Sequence, residues 1–179
     1  MPRSLQNRRR ASNRPPFIIA MKVMAFDQAT KITGYAVIND GVLVNHGVLT
    51  VKSSEDIMNR IYHMVDQIID LIVAEEPDVL YFEGVEGVQN ERTMIYLANL
   101  QGACLACSRM RGYVGNTIDV ATWRHTMRFQ MGRGVKREDL KAQAVKCVAD
   151  IYGIECCDDE AEAICIALAV WKINFESKE

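Results

Sequence analysis

Two apolar runs in this sequence end abruptly on an acid. Val23, Met24, Ala25 and Phe26 lead directly into Asp27, and Val79, Leu80, Tyr81 and Phe82 lead directly into Glu83. A carboxylate in that position emerges from a strand rather than continuing its core, because an ionised acid is costly to bury alone. Asp159 and Glu162 precede the core-type residues Ala163, Ile164, Ile166, Ala167 and Leu168, and their i, i+3 spacing puts both carboxylates on one helical face. Each acid alone has a simpler reading. Asp27 opens a turn or caps Thr30 and Lys31, and Asp159 caps a helix with Glu162 in its first turn. Four acids brought together would repel one another unless cations were present, and an all-oxygen donor set suits Mg²⁺ or Mn²⁺.

The elements that must carry these acids follow from hydrophobic period and turn signals. Strands are expected over 23–26, 33–38 and 42–51, with Asn39-Asp40-Gly41 as the tight turn between the last two. Ile57, Ile61, Met64, Val65, Ile68, Ile69, Ile72 and Val73 then recur at helical spacing, closed by Glu75-Glu76-Pro77. A strand over 79–82 follows, then a helix over 91–110 with Met94, Leu97, Ala98, Gln101 and Leu105 along one face. A fifth strand over 117–120 and helices over 139–148 and 160–173 complete an α/β chain of order βββαβαβαα. With the first strand central, the fourth beside it and the last helix packed alongside the first, all four acids converge.

Charge divides unevenly along the 179 residues. Residues 1–20 hold Arg3, Arg8, Arg9, Arg10 and Arg14 and no acid, which leaves 16 bases against 23 acids elsewhere, a net of −7. The first 20 residues, ending near Pro15-Pro16, read as a flexible basic arm, and 21–179 as one domain. Between Arg109 and Lys146 nine Lys/Arg face only Asp119, Glu138 and Asp139. A basic stretch in an otherwise acidic body suits a protein that grips phosphates in one place and binds metal in another. The six cysteines, with Cys104 and Cys107 as a C-x-x-C and Cys156 beside Cys157, lack the further ligands of a zinc site and read as buried or half-buried thiols. No apolar run reaches the ~20 residues of a membrane span, and the stretch after the arginines lacks a small-residue cleavage pattern. The expectation is an intracellular, cytoplasmic protein.

At the acids the sequence resembles a known family. The run Asp27-Gln28-Ala29-Thr30-Lys31-Ile32-Thr33-Gly34-Tyr35 resembles the first-strand motif of the RuvC-type Holliday junction resolvases. Leu80-Tyr81-Phe82-Glu83 is similar to their fourth strand, and Asp159-Glu160-Ala161-Glu162-Ala163 to the motif opening their last helix. Trp123-Arg124 and the run over 136–141 are closest to phage-encoded members. The resemblance spans about 22–172 and implies an RNase H-like fold, a five-stranded mixed sheet with helices on both faces. It further implies a nuclease resolving four-way junctions in branched DNA, with two Mg²⁺ or Mn²⁺ ions on Asp27, Glu83, Asp159 and Glu162 and no covalent enzyme intermediate. A two-fold symmetric junction implies a homodimer, with the small-residue helix around Leu97 to Cys107 as a candidate interface, although Gly102, Ala103 and Ala106 are equally explained by packing against the sheet. Lys136, Arg137, Lys141 and Arg133 are the expected DNA contacts. Three positions depart from the pattern: Ala29 stands where a Gly is usual, Glu162 where an Asp is usual, and Glu86 where cellular members carry an aromatic wedge.

Other readings remain open on sequence. A different RNase H-like nuclease acting on RNA or an RNA–DNA hybrid would share these acids. A non-catalytic DNA-binding protein of the same fold would keep the basic stretch. A nucleotide-binding module of the actin-like ATPase type has a similar first strand, but it pairs two such domains and is much longer.

Overall fold

The computed structural model describes residues 21–86 and 90–175. The expected arm, 1–20, lies outside the described residues. The elements are β1 (Lys22–Asp27), β2 (Ile32–Asn39), β3 (Val42–Thr50), α1 (Ile57–Glu75), β4 (Val79–Glu83), α2 (Glu91–Met110), β5 (Gly115–Ile118), α3 (Val120–Thr126), α4 (Arg137–Tyr152) and α5 (Asp158–Phe175). The strands form one mixed sheet in the order β3-β2-β1-β4-β5. β1 pairs antiparallel with β2 and parallel with β4, so it is central and carries an unbroken apolar run, covered on both faces.

Side chains alternate across the sheet and build two cores. Met24, Phe26, Val37, Leu80 and Phe82 pack with α1 and α2, while Val23, Ala25, Ala36 and Ile38 pack with α3, α4 and α5. Helices therefore cover both faces, as the resemblance implies. α1 is amphipathic with Ile61, Met64, Val65, Ile68, Ile69 and Ile72 buried, and Asp56 caps it by accepting from the Met58 and Asn59 amides at 3.0 and 3.1 Å. α5 is different: every residue from Ala161 to Val170 is buried, because the helix lies between the sheet and α3 and α4. At roughly 1.5–3 kcal/mol per fully buried large apolar side chain, α5 is a main contributor to stability.

Several expectations shift. The fifth strand is Gly115–Ile118 rather than 117–120, and Val120 opens a short helix, α3, with Asp119 extended before it. α4 begins at Arg137, where the Lys136 amide donates to Asp139 Oδ2 at 2.9 Å, and α5 begins at Asp158. On α2 the sheet-facing residues are Leu100, Cys104 and Ser108, whereas Met94 and Ala98 of the expected face are exposed. The cysteines are free thiols, and Cys157 is exposed rather than buried. Among the described residues no helix is long and apolar enough to cross a membrane.

Candidate metal centre

Alternation along the central strands decides where the acids point. Val23 and Ala25 of β1 face α5, so Asp27, next in that register, emerges on the same side. Val79 and Tyr81 of β4 also pack on that side, and Glu83 follows them. Because β1 and β4 are parallel with Phe26 opposite Phe82, the two acids leave neighbouring strands at the same end. The first turns of α5 supply Asp159 and Glu162. Carboxylate oxygens of Asp27, Asp159 and Glu162 all lie within 4.8 Å of one another. Glu83 stands beside this trio and is the neighbouring charge that acts most strongly on Asp27.

The close approach of α5 depends on Gly34, which faces Asp27 across the β1–β2 ladder. A Cβ at Gly34 would lie 1.9 Å from the Asp159 carbonyl oxygen and 3.2 Å from Ala163 Cβ. Buried Thr33 fixes the turn before β2: its Oγ1 accepts from the Ala29 amide at 3.0 Å and donates to the Ala29 carbonyl at 2.8 Å. The Gln28 side chain donates to the Glu83 carbonyl at 2.6 Å, as does Gln101 at 2.5 Å, tying the end of β4 to β1 and α2. His46 of β3 lies 2.5 Å from Glu160, a second anchor on the first turn of α5.

Burial raises the Asp27 carboxyl well above its ordinary range, and the charges of Glu83, Glu162 and Asp159 push it the same way against Lys141. Burial likewise raises Glu83, opposed by a hydrogen bond from Trp123, and raises Glu162, opposed by Arg124. Concentrated carboxyls of this kind are relieved by a divalent cation, whose charge inverts the local balance. The grouped acids Asp27, Asp159 and Glu162 come from β1 and α5 with no thiol or imidazole among them, a donor set that would fit a hard cation such as Mg²⁺ or Mn²⁺.

The basic residues differ in placement. Arg133 and Lys136 are exposed before α4, and Arg137, exposed at its first position, exerts its charge on Glu162. Lys141, an expected DNA contact, lies at the cluster: its Nζ is 2.5 Å from Asp158 and 3.4 Å from Asp159. Burial alone would lower its ammonium, but the Asp158 hydrogen bond and the charges of Asp159, Asp158 and Glu162 outweigh burial and raise it. Two further residues at the site escaped sequence reasoning. Trp123 Nε1 donates to Glu83 Oε1 at 2.8 Å, and Arg124 Nη2 donates to Glu162 Oε1 at 3.1 Å. Only the presence of a Trp-Arg pair marked them in the sequence. His125, their neighbour, is exposed on α3.

Comparison with known proteins points to one family. The family model for the crossover junction endodeoxyribonuclease RuvC matches residues 23–170. Curated relatives of that description include one from Dictyoglomus turgidum, 27% identical over 153 residues, covering 83% of this chain and 95% of the relative. Another, from Dictyoglomus thermophilum, is 26% identical over 153 residues with the same coverage of both chains. Among solved structures, T. thermophilus RuvC in complex with Holliday junction substrate superposes with a TM-score of 0.69 at 14% identity, covering 88% of this chain and 98% of that one. The yeast mitochondrial Holliday junction resolvase Ydc2 gives a TM-score of 0.55 at 14% identity over 84% of this chain and 77% of that one.

Proposed function

Because the chain belongs to the RuvC family of crossover junction endodeoxyribonucleases and is a structure-selective, junction-resolving nuclease, we propose that it hydrolyses four-way DNA junctions with Mg²⁺ or Mn²⁺. Two ions per active site would be held by Asp27, Glu83, Asp159 and Glu162. The observation that carries this reading is the convergence of acids from β1 and α5 within 4.8 Å, with Glu83 of β4 beside them. When bound, divalent ions supply Lewis-acid charge at the phosphate and lower the pKa of water. Asp27, beside the β4 acid and the α5 acids, would be a central ligand of the bound metal. Lys141 orients Asp159 from α4. A gel assay with a synthetic four-way junction and Mg²⁺, beside flap, duplex and RNA–DNA hybrid substrates, tests this. Paired cuts in opposing junction strands are expected. Preferential cutting of the hybrid would move the protein to another RNase H-like activity, and binding without any cutting would make it a non-catalytic DNA binder.

Cutting opposing strands takes two active sites, so the working unit is a homodimer. Support comes from α2, where Ala98, Gly102 and Ala106 are exposed at i, i+4 and i+8 and Met94, Ile95 and Met110 are exposed nearby. A Cβ added at Gly102 meets nothing within 4 Å, so its small size serves no packing inside the protomer. Gly102→Arg is expected to stabilise the isolated helix by roughly 1 kcal/mol, since Gly is a poor helix former. The same change places a charge in the interface, so sedimentation should report a monomer and paired cutting should become uncoupled single nicks. A dimer that survives Gly102→Arg would remove α2 as the interface.

Arg133, Lys136 and Arg137 are the proposed phosphate contacts, at the same end of the sheet as the acids. Arg133→Ala with Lys136→Ala should weaken junction binding and flatten its salt dependence by about 0.9 in log–log slope for each phosphate no longer neutralised. A binding titration that keeps the original slope would place the DNA elsewhere.

A further inference from the structure

We propose that Trp123 and Arg124 are positioning residues that hold the Glu83 and Glu162 carboxylates in the orientation metal binding requires, a proposal that rests on the reading of the acid cluster as a metal centre. Successive residues on an α-helix diverge by about 100°. Neighbours on α3 therefore reach acids on two different elements, β4 and α5. Trp123 has no exposed surface, and its ring is held edge-on by Phe129 at 5.4 Å and 76°. Its only polar atom is spent on Glu83 Oε1 at 2.8 Å. Arg124 lies over the Trp123 ring at 5.0 Å from the centroid, so the indole fixes the guanidinium that reaches Glu162. Each contact takes one oxygen of a carboxylate and thereby sets the rotation of the other.

The choice of targets is informative. The cluster holds two aspartates and two glutamates, and α3 anchors the two glutamates. A Glu has an extra rotatable bond and more freedom to lose on ordering than an Asp, so the longer acids are those that need a second hold. Glu162 stands where the motif usually has Asp, and Arg124 meets it. Arg124 Nε is buried without a partner among the described residues. An unmade buried hydrogen bond is costly, which a residue recruited only for stability would avoid.

The test compares Trp123→Phe, Arg124→Met and Arg124→Lys with the parent by calorimetric titration with Mn²⁺ alone, and by the Mg²⁺ dependence of junction cleavage. Removing an outer hydrogen-bond partner from metal ligands typically costs roughly ten- to hundredfold in affinity, and that reduction is expected for Trp123→Phe and Arg124→Met. The Mg²⁺ concentration for half-maximal cleavage should rise by the same factor. Arg124→Lys, which keeps charge without the planar fork, should recover part of the affinity. Folded Trp123→Phe and Arg124→Met proteins that bind Mn²⁺ as the parent does would overturn the proposal. If Trp123→Phe does not fold, Arg124→Met, altering a half-buried side chain, decides alone. A parent that binds Mn²⁺ but cuts no branched DNA would defeat the functional reading while the binding data still judge this one. A parent that binds no Mn²⁺ overturns both.

Discussion

Asp27→Asn is expected to abolish cleavage while making the metal-free protein more stable. Loss of a proposed metal ligand should remove several kcal/mol of transition-state stabilisation, on the order of 10³-fold or more in rate. The stability effect has the opposite sign because Asp27 is raised, not lowered, by its burial and by Glu83, Glu162 and Asp159. The folded protein keeps that proton at pH values where the unfolded chain has released it. Without metal, the parent is therefore fully relieved below the ordinary value of 3.8 and loses stability as pH rises through the window up to the raised value. Asn carries no charge and removes that part of the slope. Divalent ions bind the ionised form, so their stabilising effect on the parent should grow with pH across the same window. Melting curves against pH, with and without Mg²⁺, check the second half, and a cleavage assay checks the first. Mg²⁺-dependent cutting by Asp27→Asn would defeat the ligand assignment, and a parallel pH slope in parent and mutant would defeat the electrostatic one.

Gly34→Ala should damage fold and site together. A Cβ 1.9 Å from the Asp159 carbonyl oxygen cannot be accommodated by a side-chain rotation, because the clashing atom is backbone. α5 must withdraw from β2. Overpacking typically costs 1–3 kcal/mol, and about 3 kcal/mol is expected here, or roughly 6–12 °C in Tm for a domain of this size. Asp159 and Glu162 move with the helix, and a displacement of about 1 Å can cost on the order of 10²-fold in rate. Thermal melting and a cleavage assay under the same conditions test it. A mutant with parental Tm and parental cleavage would show that α5 does not need this approach.

The two strand acids were legible because an apolar strand that stops on a carboxylate is a local signal, and the i, i+3 pair on α5 is local too. The central place of β1 with β4 beside it was read from the element order, and the five-stranded mixed sheet from the family resemblance. What escaped depends on tertiary contact. α3 has only seven residues, and Val120 at its start has the chemistry of a strand. Gly115 and Asn116 are weak strand formers, yet both sit in β5, where a Cβ at 115 would crowd Leu105 at 2.7 Å. Lys141 reads as a surface cation until α4 packs along α5 and brings it to Asp158 and Asp159. The roles of Trp123 and Arg124 exist only once β4, α3 and α5 meet.

The order of the clustered acids along the chain also bears on biosynthesis. Asp27 and Glu83 are made early, but Asp159 and Glu162 lie on α5, the last of the described helices, whose residues Ala161 to Val170 are all buried. A growing chain synthesised from its N-terminus therefore holds half of an acid cluster and an uncovered sheet face until α5 has left the ribosome. On the proposed ligand assignment, the metal centre stays incomplete while the chain is being made and is completed in the same step that closes the fold.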